Sequence, residues 1–403
     1  MYRSKILYNI LHNIFWYNRE VRLLEQIVYL DNSSTTKPCR LAVEYTARAL
    51  EENWGNPSSL HILGVNAETE VTRTRGQAAA LLHCRPDEVF FTGSGTEANN
   101  TALFGAVQRM RKRGNRIVTT AIEHPSVLES IKELEKRGYE VIYLKPDSYG
   151  HISKEQLYES INADTILVSI MLVNNELGSV LPVREAARAI KNAGSPALLH
   201  CDAVQAFGKL PVDVRELGVD LLSASGHKIH GPKGIGLLYV RKGLALPPLL
   251  LGGGQEKGLR SGTEPVPAIL GLSGALKELP DIKAQLKKIQ TLRDYAAEKL
   301  KETGFCELNS PEDALPYILN ISVPGYRSET LLHFLEAKNI YVSSGSACSK
   351  GAGSYVLNSC ELPRDRVDSA LRLSFCRDNS ERDIDLLCET LENAVSKLRK
   401  GNI

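Results

Sequence analysis

Seven short runs rich in β-branched and aromatic residues punctuate one stretch of this chain: EVFFT at 88–92, RIVTTAI at 116–122, EVIYL at 140–144, TILVSIML at 165–172, ALLHC at 197–201, VDLLSA at 219–224 and IGLLYV at 235–240. Helical stretches such as EANNTALFGAVQRMRKRG and REAARAIKNAG stand between most of them. Parallel strands need a crossover, usually a helix, so this alternation implies an α/β layer with a mostly parallel seven-stranded sheet covered by helices on both faces. Only a Gly/Pro/His/Lys loop joins the last two runs, too short for a helical crossover, which predicts an antiparallel final strand. After about residue 265 the texture changes. A long charged helix (IKAQLKKIQTLRDYAAEKLKETG) leads to short strands at YILNISV and IYVSS, a helix near SETLLHFLEAKN, then RVDSALRLSF and a last amphipathic helix from Glu381. The expected division is a large domain over 28–282, its first residues packing with the other unit, and a smaller α+β domain over 283–403 carrying a loop at 343–355. Residues 1–27 form an extension. Ile6, Leu7, Ile10, Leu11, Ile14 and Phe15 recur there at helical spacing, without the features of a secretory signal or transit peptide.

The balance of 49 basic against 47 acidic residues is too even for a nucleic-acid or polybasic membrane protein. No apolar run is long enough to span a bilayer. The eight cysteines are scattered and form no CxxC pair, which argues against a zinc ribbon and for a reducing compartment, the cytoplasm.

In an open α/β sheet, ligands bind beyond the carboxyl ends of the strands. Five of the runs are followed by polar, ionisable or glycine-rich residues: GSGTEANN, EHPS, VNNELG, DAVQ and SGHKIHGPKG. Their concurrence on one edge predicts one composite site. Gly95 and Thr96 open a helix whose free N–H groups suit a phosphate, although a plain helix cap reads the same way. Asp202 ends a buried run as a cap or as the partner of a cation. Lys228, set among glycines, histidines and a proline, has the makings of a desolvated amine able to form a Schiff base, against the alternative of a solvated loop lysine. His124 can stack or move a proton, or simply be a satisfied hydrogen-bonding residue. An anion cradle, a carboxylate, an amine and an aromatic ring together describe a site for pyridoxal 5'-phosphate (PLP). A nucleotide site fits less well, because neither GxxxxGK[ST] nor GxGxxG follows the first strand.

Residues 343–354 read SSGSACSKGAGS, a segment too poor in large side chains to build a core, with Cys348 at its centre. With that segment the chain resembles the cysteine desulfurases of iron–sulfur-cluster and nitrogen-fixation type, class V aminotransferases of the fold type I PLP group. The resemblance runs through YLDNSSTT, GNPSSLH, FFTGSGTEANN, AIEHPSV, VNNELG, CDAVQ, SGHKIHGPKGIG, GGGQEKGLRSGT, SSGSACS and LRLSF. It implies roles. Lys228 would carry PLP, Asp202 would bind its ring nitrogen, and His124 would stack on the ring and serve in proton transfer. Gln205 would bind the phenolate oxygen, while Gly95, Thr96, Ser225 and His227 would hold the phosphate. Thr263 matches a phosphate contact supplied by a second subunit, so a homodimer is implied. Asn175 and Arg372 would bind the carboxylate of L-cysteine, Asn175 also facing the cofactor. Cys348 would take the substrate's sulfur as a persulfide, leaving L-alanine, and deliver it to an acceptor such as a cluster scaffold or a tRNA-thiolation enzyme. Lys350 would favour the Cys348 thiolate, or merely keep the loop solvated. The stretch SKGAGS after Cys348 is shorter than in many members, which leaves the acceptor open, and Ser34 stands where alanine is usual. A PLP lyase or aminotransferase that uses Lys228 without Cys348 is the competing enzymatic reading. A retained scaffold is the non-enzymatic one, disfavoured by the presence of Lys228, Asp202, His124 and Arg372 together.

Overall fold

The computed structural model describes residues 27–344 and 353–400. The amphipathic stretch near the start and Cys348 with Lys350 therefore lie outside the described residues.

The chain enters through β1 (Val28–Tyr29), α1 (Arg40–Glu52) and α2 (Ile62–Leu81). The seven runs then become β2 (Val89–Thr92), β3 (Arg116–Thr120), β4 (Glu140–Leu144), β5 (Thr165–Met171), β6 (Leu198–Asp202), β7 (Leu221–Ser225) and β8 (Gly236–Val240). They form one sheet in the order β2-β8-β7-β6-β5-β3-β4. Every pairing among β3 to β7 is parallel, and β8 runs antiparallel to both β7 and β2. Asp202 is the last residue of β6 rather than the first residue beyond it, because its backbone still pairs with Met171 and Ser223.

Between the strands stand α3 (Gly95–Met110), α4 (Pro125–Lys136), α5 (Lys154–Ser160), α6 (Val183–Asn192) and α7 (Val214–Leu217). Every residue of β5, β6, β7 and β8 is buried, as expected of strands covered on both faces. Successive side chains point to opposite faces. Leu238 and Val240 of β8 thus share one apolar cluster with Ala102 of α3 and Ile131 of α4. Leu237 and Tyr239 share another with Val71 of α2 and Ala186 of α6.

Beyond the sheet come α8 (Val266–Glu278), packed along α1, and the long α9 (Ile282–Glu302). A three-stranded antiparallel sheet follows, with β10 (Ile318–Ser322) between β9 (Glu307–Leu308) and β12 (Ala370–Ser374). It is accompanied by α10 (Ser328–Glu336), β11 (Ile340–Tyr341), α11 (Tyr355–Ser359), α12 (Arg364–Asp368) and α13 (Glu381–Lys397). The run IYVSS extends as a strand only over its first two residues, which pair in parallel with β1, while Ser343 bridges to Arg372.

Residues 30–36 stitch these parts together. Ser374 donates its backbone N–H to the Leu30 carbonyl at 2.6 Å, and Ser33 donates its own to Ser374 Oγ at 2.8 Å. Thr36 donates both its backbone N–H and its hydroxyl to the carbonyl of His227. The segment thereby spans from the small sheet to the loop bearing Lys228.

Candidate active site

A cavity of about 260 Å³ opens at the carboxyl ends of the parallel strands. Gly95, Thr96, His124, Asn175, Asp202, Gln205, Ser225, His227 and Lys228 all line it. Residues from five separate loops thus meet in one place.

The floor on one side is the N-terminus of α3. Ser94 adopts extended backbone and accepts the Glu97 N–H in its side chain, a regular N-cap. The neighbouring first-turn N–H groups face outward with the positive end of the helix dipole, where an anion is favoured. A Cβ built on Gly95 would stand 2.8 Å from Val204 Cγ2, so any other residue here would have to push that methyl aside. Ser225 Oγ beside it is buried and has no partner among the described residues.

Asp202 is held by two donors: Asn99 Nδ2 reaches Oδ2 at 2.8 Å and the Val204 N–H reaches Oδ1 at 3.0 Å. His124 caps α4, its Nδ1 accepting the Ser126 N–H at 3.2 Å. It is exposed and lines the cavity, yet the surrounding protein lowers its proton affinity through lost solvation, offset in part by Asp202 and reinforced by Lys228. Burial holds the His227 imidazole down to about 4, with Lys228, Lys233 and Lys209 adding to the effect. Lys228 Nζ donates to the carbonyls of Ser33 and Ser34, the latter at 2.8 Å. Burial, then the like charge of Arg372, pull the Lys228 amine down to about 8 against the opposing pull of Asp31 and Asp202.

Arg372 itself is 5% exposed and does not line the cavity. Its Nη1 donates to the Asn175 carbonyl at 2.9 Å, and its Nη2 to Asp31 Oδ1 at 2.9 Å and Ser34 Oγ at 2.7 Å. Asn175 Oδ1 is buried without a partner among the described residues. Thr263 is exposed and stands apart from the residues lining this chain's own cavity.

Three polar groups at the site were not singled out from sequence. Asn99 sits four positions after Gly95, hence on the same helix face, and that spacing was the available signal. Glu123 is fully buried behind His124, its Oε1 accepting from the Met171 N–H at 2.9 Å and the Thr120 hydroxyl at 2.7 Å. Desolvation raises its carboxyl to about 8. Glu176, beside Asn175, is 2% exposed and accepts a short hydrogen bond from Ser354 Oγ. Burial raises it to about 7.

The sequence profile described as "Aminotransferase class-V" matches residues 28–387. The chain belongs to the class-V aminotransferase family. Among its relatives is a "Cysteine desulfurase IscS" from Methanosarcina thermophila, 41% identical over 376 residues, covering 92% of this chain and 93% of that protein. A solved "NIFS-LIKE PROTEIN" superposes with a TM-score of 0.87 at 37% identity, covering 93% of this chain and 100% of the other. "SspA in complex with cysteine" superposes at 0.77 with 34% identity, over 86% of this chain and 98% of that one. This class-V aminotransferase is therefore one of the cysteine desulfurase group by descent.

Class-V aminotransferases work with PLP, and the residues here fit that group. The orphaned Ser225 Oγ and the glycine-floored helix start suit a phosphate. Asp202, its two oxygens each held by a donor, suits a pyridinium nitrogen. A lysine amine with lowered proton affinity suits the aldehyde.

Proposed function

We propose that this chain is a PLP-dependent cysteine desulfurase, which converts L-cysteine to L-alanine and collects the sulfur on Cys348. The observation that carries the reading is the convergence of Lys228, Asp202 and the α3 N-terminus on one cavity, within a chain of this family. PLP, when bound, supplies an aldehyde for the substrate's amino group and a ring that stabilises negative charge at its Cα. The residues do the rest. The α3 N-terminus with Gly95, Thr96, Ser225 and His227 holds the phosphate. Asp202 keeps the ring nitrogen protonated, while His124 covers the ring and Gln205 binds its oxygen. Asn175 and Arg372 orient the substrate carboxylate, with Arg372 giving up contacts to Asp31 and Ser34 as it does so. Lys228 Nζ, with its lowered proton affinity, is available as a free amine to take the Cα proton. The Cys348 thiolate then attacks the substrate sulfur. An S–S bond forms and the Cβ–S bond breaks. Its electron pair stays on carbon, which leaves as alanine after protonation, and Cys348 is left as a persulfide.

The finer parts of the reading are these. The enzyme is a homodimer in which Thr263 completes the phosphate site of the other subunit. It works in the cytoplasm and hands its sulfur to a protein acceptor such as a cluster scaffold or a tRNA-thiolation enzyme. The large domain, 28–282, supplies the cofactor site, and 283–403 presents the cysteine-bearing segment.

The test is Cys348→Ser. Sulfide release from L-cysteine with a dithiol present is expected to vanish while the yellow cofactor remains bound. Sulfide release at the wild-type rate would instead favour a lyase that uses Lys228 alone. Protein that stays colourless after reconstitution with PLP would remove the cofactor reading altogether.

A further inference from the structure

Lys209 lies in the interior, 5% exposed, and forms no ion pair among the described residues. Lysines are almost never buried without a counter-charge, because desolvating an ammonium is costly. Here the amine has another task. Its Nζ donates to Gln205 Oε1 at 3.1 Å and stands 5.6 Å from the centroid of the Tyr317 ring. Gln205 Nε2 in turn donates to the Ser33 carbonyl at 3.0 Å, and Lys228 Nζ donates to the same carbonyl. A small cavity of about 30 Å³ is lined by Lys209 and Lys228 together with Tyr317 and Cys376. The two lysines thus share one hydrogen-bonded array and one cavity, and Gln205 bridges that array to the main site it lines.

The array decides which way the Gln205 amide faces. An ammonium has donors and no acceptor, so it commits the oxygen of the amide. The Ser33 carbonyl commits one hydrogen of the nitrogen. What remains is the second Nε2–H, a donor. We propose that Lys209 is a positioning residue for the cofactor: it fixes the Gln205 amide so that the side chain offers a hydrogen-bond donor, never an acceptor, to an oxyanion of the bound group. The inference rests on the PLP reading given above. Burial together with the positive charges of Lys228 and Arg372 lowers the Lys209 amine to about 7, so the ammonium form that commits the amide oxygen prevails below that pH.

The experiment reads cofactor binding and colour, not sulfide. Apoprotein is titrated with PLP, and the visible band of the reconstituted protein is followed against pH. Lys209→Met is expected to weaken PLP affinity about tenfold and move the midpoint of the pH titration by about one unit. In a Gln205→Leu background the same change is expected to add nothing, since Lys209 acts through Gln205. Gln205→Glu keeps a partner for Lys209 but turns the amide into an acceptor. It is expected to weaken PLP by more than tenfold, and it stands in if Lys209→Met does not fold. Wild-type affinity and midpoint in Lys209→Met or Gln205→Glu, or an additive effect of Lys209→Met on Gln205→Leu, would overturn the proposal. Failure of the wild-type apoprotein to bind PLP would strike the cofactor reading instead, and the two failures are separable.

Discussion

At the scale of single residues, Glu123 shows most plainly what burial does. Its carboxyl is raised to about 8 by desolvation, against an ordinary value near 4.5. Between those values the folded chain binds a proton that the unfolded chain has released. The stability this lends is present below the unfolded value and is lost as the pH rises through the folded one. Glu176, raised to about 7, acts in the same direction. From pH 5 to 8 these two carboxyls pull the stability of the apoprotein down, while His227, held down to about 4, and Lys209, lowered to about 7, pull it up. In thermal denaturation over that range, Glu123→Gln is expected to remove its downward share and make the slope more positive than in wild type, by up to about 1.4 kcal/mol per pH unit. An unchanged slope would show that Glu123 is ionised in the fold. Much of the site was legible at this scale because the side chains that meet at the cavity come from short motifs at strand ends. Lys209 was not legible. It follows CDAVQ by only four residues, but nothing in a sequence tells an inward lysine from a solvated one, and most are solvated.

Among elements, the informative contrast lies between the strands and the short pieces. The seven runs of the large sheet were readable because each is an unbroken apolar run, buried on both faces. The strand IYVSS was readable too, but its shortness and the parallel pairing of the two-residue β11 with β1 were not, since these are set by tertiary contacts rather than by pattern. The same holds for α11, five residues long and too short to persist by propensity alone. What fixes α11 is its start. Ser354 Oγ donates to the buried Glu176 carboxyl and accepts the Leu357 N–H at 3.1 Å, while the Tyr355 hydroxyl donates to the Glu123 carbonyl at 2.6 Å. Both acceptors lie next to cavity residues, so the backbone just after the cysteine-bearing segment is fastened to the site wall. Ser354→Ala removes a helix cap and strips a buried carboxyl of a donor. It is expected to cost about 2 kcal/mol in urea denaturation of the apoprotein, with Ser354→Thr within about 1 kcal/mol of wild type. Equal stability of the alanine variant would show that the bond carries no net weight.

For the whole molecule, the unfinished business is Thr263. The family resemblance assigns it to the phosphate site of a second subunit, and it is exposed and away from its own chain's cavity. Large apolar side chains stand in solvent as well: Leu60 is 98% exposed, Leu251 84% and Trp54 67%. The proposed homodimer predicts a sedimentation mass of twice 44.4 kDa, and Thr263→Ala is expected to weaken PLP about tenfold without breaking the pair. A monomer at micromolar concentration would dispose of this assembly. None of it was legible in one sequence beyond the family resemblance, because an exposed threonine carries no mark of the partner it serves.

The segment 30–36 has a further consequence, one of timing. The Ser33 carbonyl that receives Gln205 and Lys228 is held in place by Ser374, more than three hundred residues later in the chain. Contacts so distant in sequence close slowly and cannot form on a nascent chain until the later partner has been made. The large sheet has its strands once residue 240 is synthesised, but the lysine's resting place does not exist until β12 arrives. Assembly of the cofactor site is thus set to be among the last events of folding, and a ribosome-bound chain that stops short of β12 should carry the sheet without the means to seat its cofactor firmly.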